Sequence, residues 1–166
     1  VERRRELLEE MGVQFVLGLT TRSWFVFGDA GPFFRQLYAL GGTQYGIQLR
    51  GYDEFSVTPE GFNPDAGLSG VPRGAFGHSY FTTTAEFGAR FSQQIYASVF
   101  YDAGNVWASA AGFNPTRLFR GAGVGVAMIT PLGPLGLDYA YGFDRTDRAG
   151  NPRPGWKLHF KIGNFF

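Results

Sequence analysis

From Gly12 to the end of the chain, apolar residues recur with a period of two rather than the 3.6 of a helix, and each periodic run stops at a Gly- or Pro-containing break. The first run, Gly12 to Gly28, has Val13, Phe15, Leu17 and Leu19 on one parity. Trp24 and Val26 continue it on the other, and the shift between Thr20 and Ser23 predicts a β-bulge. Phe33 to Leu49 reads as a second strand interrupted by Gly41-Gly42. Strands are then predicted at Gly77–Phe91, Ile95–Trp107, Phe119–Thr130, Leu132–Tyr141 and Trp156–Phe166, making seven candidates. The lead-in, residues 1–11, is rich in helix formers and stops at Gly12, which predicts a short helix or a frayed segment.

The connections alternate in length. Ser92–Gln94 and Pro131 are tight, whereas Ala108–Leu118 and Gly142–Gly155 are long. Longest of all is the stretch 51–76, which carries Pro59, Pro64 and Pro72 among several glycines and far exceeds an ordinary hairpin loop. Tight turns at one end and long loops at the other are the pattern of an outer-membrane barrel. The domain organisation expected is therefore a lead-in at 1–11 and one β-barrel domain at 12–166.

The two parities of each strand differ in bulk. Ala122, Val124, Val126 and Met128 alternate with Gly121, Gly123 and Gly125. Leu135, Leu137, Tyr139 and Tyr141 alternate with Gly136, Asp138 and Ala140, and Trp156, Leu158, Phe160 and Ile162 with Lys157, His159 and Lys161. A soluble sandwich would bury the bulky faces against each other. A membrane barrel would turn them to lipid, and runs this long suit the roughly 9 to 11 residues of a tilted span. The glycine parity leaves room for something inside the barrel, and the long loop is the natural occupant.

Composition narrows the function. Aromatics make up 17% of the 166 residues, with 25 glycines and no cysteine, so disulfides, thiolate metal sites and cysteine nucleophiles are excluded. A net charge of +1 with scattered arginines gives no basic face for nucleic acid. The two histidines are far apart in sequence, and neither a metal nor a cofactor is expected. No apolar run approaches the length of a membrane helix, so a membrane would be met with strands.

Candidate chemistry gathers at Leu49-Arg50-Gly51-Tyr52, where the glycine permits a sharp turn and the tyrosine supplies an anchoring ring. Such an arginine is either an ordinary strand-end charge or a cation in need of an acidic partner. Asp102 shares the parity of Phe100, Ser98 and Tyr96, opposite Val99 and Tyr101, and so points inward if those meet lipid. Glu86 and Asp138 fall on neighbouring inner positions, so three carboxylates line one wall. Paired carboxylates also serve glycosidases, but no further catalytic cue accompanies them here.

Gly41-Gly42, Leu49-Arg50-Gly51-Tyr52, Phe100-Tyr101-Asp102-Ala103-Gly104, Gly121-Ala122-Gly123-Val124-Gly125, Pro131-Leu132-Gly133-Pro134-Leu135 and the closing Phe160-Lys161-Ile162-Gly163-Asn164-Phe165-Phe166 stand in that order. Together, over roughly residues 13 to 166, they resemble the C-terminal half of the BamA/TamA superfamily of outer-membrane assembly factors. The resemblance implies an antiparallel transmembrane β-barrel in the bacterial outer membrane or an organellar outer envelope. This chain would supply about seven or eight strands, as the C-terminal portion of a larger barrel. It implies a loop latch at Arg50, Gly51 and Tyr52 and inner-wall partners at Asp102, Glu86, Phe100 and Gly104. It also implies a C-terminal strand signal at Phe160, Ile162, Gly163 and Phe166. The function implied is non-enzymatic: insertion of client β-barrel polypeptides into outer-membrane lipid. A two-partner secretion pore and a small structural barrel are the alternatives. The family's POTRA domains and first strands are not in this sequence. The last strand is therefore expected to pair with the chain's own Gly12–Gly28, with a second copy, or with other strands that complete the barrel.

Overall fold

The computed structural model describes residues 12–28, 38–66, 74, 76–131 and 133–163. The proposed helix at 1–11 and the terminal Phe166 lie outside them. Strands β1 (Gln14–Phe25), β4 (Ser79–Arg90), β5 (Ile95–Trp107), β6 (Phe119–Thr130), β7 (Gly133–Gly142) and β8 (Gly155–Ile162) form one antiparallel sheet in the order β1-β4-β5-β6-β7-β8. Between β1 and β4, the two-residue strands β2 (Val57–Thr58) and β3 (Gly61–Phe62) make a separate small hairpin.

Alternation dictates the two faces. Leu17, Phe87, Val99, Val124, Tyr139 and Leu158 stand side by side in one register row across all six strands, and every one is exposed. The adjacent row is Gly18, Glu86, Phe100, Gly123, Ala140 and Lys157, of the opposite parity. The bulky parity is thus the outer one, as the sequence pattern predicts, and the small and polar parity faces the long loop. Tyr139 stacks on Trp156 at 4.5 Å and Tyr141 meets the same indole edge-on at 5.2 Å, an aromatic cluster at the end where the long loops emerge.

Three expectations need correction, and one of the pairings left open for the last strand is not made among the described residues. Among the described residues six strands form the sheet, because 38–49 contribute none. They make only isolated bridges, among them Leu40 with Ile47 and Gly42 with Leu49. Tyr38, Leu40, Ile47 and Leu49 mimic a strand because they alternate, but they alternate to build a core: Leu40, Leu49, Tyr52 and Val57 from the loop pack with Tyr80 and Val106 from the wall. The described interior loop therefore includes residues 38–50, which the alternation assigns to a strand, as well as 51–66.

There is also no bulge in β1, whose pairing with β4 is unbroken from Gln14↔Arg90 to Phe25↔Ser79. The apparent shift has another cause. Thr21, Thr83, Ala103 and Arg120 form one row of the outer parity, and their small or polar side chains mark where the apolar band ends. Finally, β1 and β8 lie at opposite ends of the sheet and do not pair, so the described strands do not close on themselves.

Candidate functional site

Arg50 is only 3% exposed, and its environment is built from three strands. β5 supplies Asp102, which accepts Nε at 2.7 Å, Nη2 at 2.8 Å and the backbone N–H of Arg50 at 3.1 Å. β4 supplies Glu86, which accepts Nη1 at 3.0 Å, and β7 supplies Asp138, 4.0 Å from the same nitrogen. The fork of the guanidinium matches the two oxygens of Asp102, a geometry that lysine could not reproduce. Thr84 donates its hydroxyl to Asp102 at 2.9 Å and Tyr96 donates to Glu86 at 3.0 Å, so both carboxylates are held in place. The guanidinium carbon lies 3.3 Å from the centroid of the Phe100 ring, which adds a cation–π contact.

Burial opposes the charge on Arg50. The hydrogen bond it donates to Asp102, with the charges of Asp102, Asp138 and Glu86, overcomes it, and the pKa stands above its ordinary value. A second cation balances the third carboxylate, with Lys161 Nζ 2.5 Å from Asp138. The site is thus an ion cluster in which two cations, Arg50 and Lys161, face three carboxylates, Asp102, Glu86 and Asp138.

The glycines explain how a loop fits here. A Cβ on Gly121 would run into the Arg50 carbonyl, and one on Gly125 into the Asp138 carboxylate. Gly51 has φ +91°, and a Cβ there would lie 2.9 Å from the backbone nitrogen of Gly142. Gly104 stands apart from the ion cluster, and a Cβ there would crowd the Thr82 side chain and the Phe81 carbonyl of β4.

Beyond Arg50 the loop is tied to the far side of the sheet. Tyr52 is fully buried, donates its hydroxyl to the Arg120 carbonyl at 2.7 Å and accepts the Asp144 N–H at 3.1 Å. Burial pushes this phenol well above its ordinary pKa. The Gly51 N–H donates to Nε2 of His159 at 2.9 Å, which puts the ring proton on Nδ1. Asp53 pairs with Lys157 and lies 3.6 Å from Arg145.

Of the residues proposed from the sequence, the structure brings together Arg50, Asp102, Glu86 and Phe100. Gly51 and Tyr52 anchor the same loop to β6–β8. Phe160 and Ile162 are exposed on the outer parity, and Gly163 ends β8 with φ +106°. The sequence reading missed His159, Asp53 and Glu54. His159 carried a signal: it shares the inner parity of β8 with Lys157 and Lys161, where a polar side chain needs an interior partner.

A family model for the Omp85 superfamily domain matches residues 9–166. No curated protein matches the chain. With an antiparallel sheet whose outer face is apolar and an interior loop anchored through an arginine, the chain belongs to the Omp85 superfamily, outer-membrane β-barrel proteins of polypeptide insertion and secretion.

Proposed function

We propose that this chain is the C-terminal barrel portion of an outer-membrane insertase, which helps client β-barrel polypeptides into the lipid without enzymatic chemistry. The observation that carries this reading is the filled interior. Leu40, Leu49, Tyr52 and Val57 are fully buried beneath the wall, and Arg50 is locked among carboxylates. A lumen occupied this way offers a polypeptide no path while the loop stands, which leaves the sheet edge as the working surface. An edge strand works by lending its unpaired N–H and C=O groups to an incoming strand. Further strands, from another part of the protein or from a second copy, complete the barrel around it.

The test is to replace Arg50 by Ala in the native gene product and follow folded outer-membrane barrels by their heat-modifiable gel mobility. Insertase function predicts a several-fold fall across many barrels. Unchanged barrels with the loss of one secreted polypeptide would instead establish the secretion pore.

A further inference from the structure

We infer that a cleft on β5 and β6, where the apolar band of the outer face ends, binds the phosphorylated sugar headgroup of an outer-leaflet lipid, with Arg117 as its main contact to phosphate. The cleft measures about 840 Å³. It lies on the two middle strands of the sheet, each of which has both of its neighbours in the ladder.

Height along the strands selects a lipid. Val99 and Val124 stand opposite each other in the exposed apolar row, and Tyr101 with Ala122 forms the next row towards the long loops. Ala103 and Arg120 follow, in the row where the band ends. Tyr101, Ala103 and Arg120 all line the cleft. A lipid whose acyl chains lie along Val99 and Val124 therefore brings its headgroup to the mouth of the cleft. Tyr101 is exposed there, and its ring offers an apolar body to the lipid and a hydroxyl to the headgroup.

Arg117 is held in place by its backbone. The segment between β5 and β6 lies back on the outer face of β5, where Phe113 packs edge-on against Trp107 at 4.8 Å and against Phe81 at 6.3 Å. Trp107 is buried beneath it although it belongs to the outer parity. Asn105, two residues earlier on that parity, donates its side-chain amide to the Arg117 carbonyl at 2.7 Å. The Arg117 N–H donates to the Asn114 carbonyl at 3.3 Å. Both main-chain groups are thereby fixed, while the residue is exposed and has no acidic partner among the described residues. An open guanidinium fork of this kind matches the oxygens of a phosphate.

The other charges of the lining decide what accompanies the phosphate. Arg120 donates to Asp144 at 3.0 Å from Nε and 2.6 Å from Nη2, yet its side chain remains half exposed. The pair is set from within, because the Tyr52 hydroxyl bonds to the Arg120 carbonyl and to the Asp144 N–H. Glu60, on the turn between β2 and β3, is the second acid of the lining. Arg117 and Arg120 thus face Asp144 and Glu60. A bare anion would meet acids as well as cations, whereas a phosphorylated sugar brings hydroxyl donors for the carboxylates and phosphate oxygens for the guanidiniums.

The experiment uses the full-length native protein in dodecyl maltoside, a detergent without phosphate, with photoreactive benzoylphenylalanine in place of Thr116 of the lining and diphosphoryl lipid A as probe. Saturable cross-linking is expected, and Arg117→Gln should raise the half-maximal concentration about fivefold. Asp144→Asn frees Arg120 and should lower it about threefold. These opposite shifts separate a built site from a general coat of lipid, which would respond to neither. Heat-modifiable gel mobility confirms that each variant is folded. No cross-linking at Thr116, or half-maximal concentrations unmoved by both substitutions, would overturn the site. Displacement of lipid A by an equal concentration of inorganic phosphate would overturn the lipid assignment and leave a simple anion site.

Discussion

The sheet has two ends, and the chain treats them differently. β1 is exposed along nearly its whole length and is held by its ladder to β4 and by ring contacts such as Phe15 on Phe87 and Phe25 on Phe113, while its described ring contact with the interior loop is that of Trp24 with Tyr38 at 6.4 Å. β8 has one strand neighbour as well, but the interior loop grips it at consecutive places: Lys157 through Asp53, His159 through Gly51 and the Phe160 carbonyl through Gln44. On their outer faces the two strands are alike, with Leu17 and Leu158 at the ends of the same register row and both exposed. The difference lies inside. An edge that meets lipid in the same way can be loose or tethered according to what a distant loop does to its inner face, and here that loop is controlled by one arginine.

The largest expected effect comes from removing that control. Arg50→Ala leaves buried carboxylates uncompensated, and breaking such a pair costs about 3 to 5 kcal/mol. Protease sensitivity should rise across the loop, and amide exchange in β8 should climb towards that of β1. If β8 keeps its protection, the loop is not what distinguishes the edges.

Next is the outer face. Leu17→Arg and Leu158→Arg each place a cation on the lipid side near mid-strand, and each should cost about 2 to 4 kcal/mol in denaturant unfolding from membranes. Matching costs sharpen the comparison by confining the asymmetry to the interior, whereas a clear inequality would show that lipid also distinguishes the two strands.

A smaller effect follows at His159. His159→Ala removes the acceptor of the Gly51 N–H, and a buried donor without a partner costs about 1 to 3 kcal/mol. Exchange at Gly51 should accelerate while β1 is unaffected. Lys157→Ala should have the least effect, below about 1 kcal/mol, because its pair with Asp53 is partly open to solvent. A loss as large as that of His159→Ala would make Lys157 an anchor in its own right.

How much of this was legible in the sequence depended on what selects each residue. Lipid demands an apolar side chain at every outer position, so the parity of β6, β7 and β8 could be read residue by residue from Val124, Val126, Leu137, Leu158 and Phe160. The Arg50–Asp102 pairing was legible because a charge on an inner wall must find its opposite. The loop was not. Tyr38, Leu40, Ile47 and Leu49 fill a barrel interior, and side chains that fill a volume can alternate in sequence like a strand without forming one. Thr21 and Ser23 misled in the opposite sense, since β1 loses its apolar alternation where it leaves the hydrocarbon and not where its backbone bends. Asp53 and Glu54 act through the fold of the loop, of which local spacing carries no trace, and for His159 the inner parity it shares with Lys157 and Lys161 was the one signal.

The position of the arginine along the chain also has a consequence in time. Glu86 lies 36 residues after Arg50, Asp102 follows at 52, and His159, which holds Gly51, is 108 residues beyond that glycine. Contacts this distant form late, after the loop-closure entropy of the intervening chain has been overcome. A polypeptide arriving N-terminus first therefore presents its arginine before any of these partners exists. Docking then reports on the order of events: Asp102 and Glu86 become available once β4 and β5 have paired, and His159 only after β8 is laid down. The loop thereby acts as an inspector of its own barrel, seating fully only when the last strand is in place.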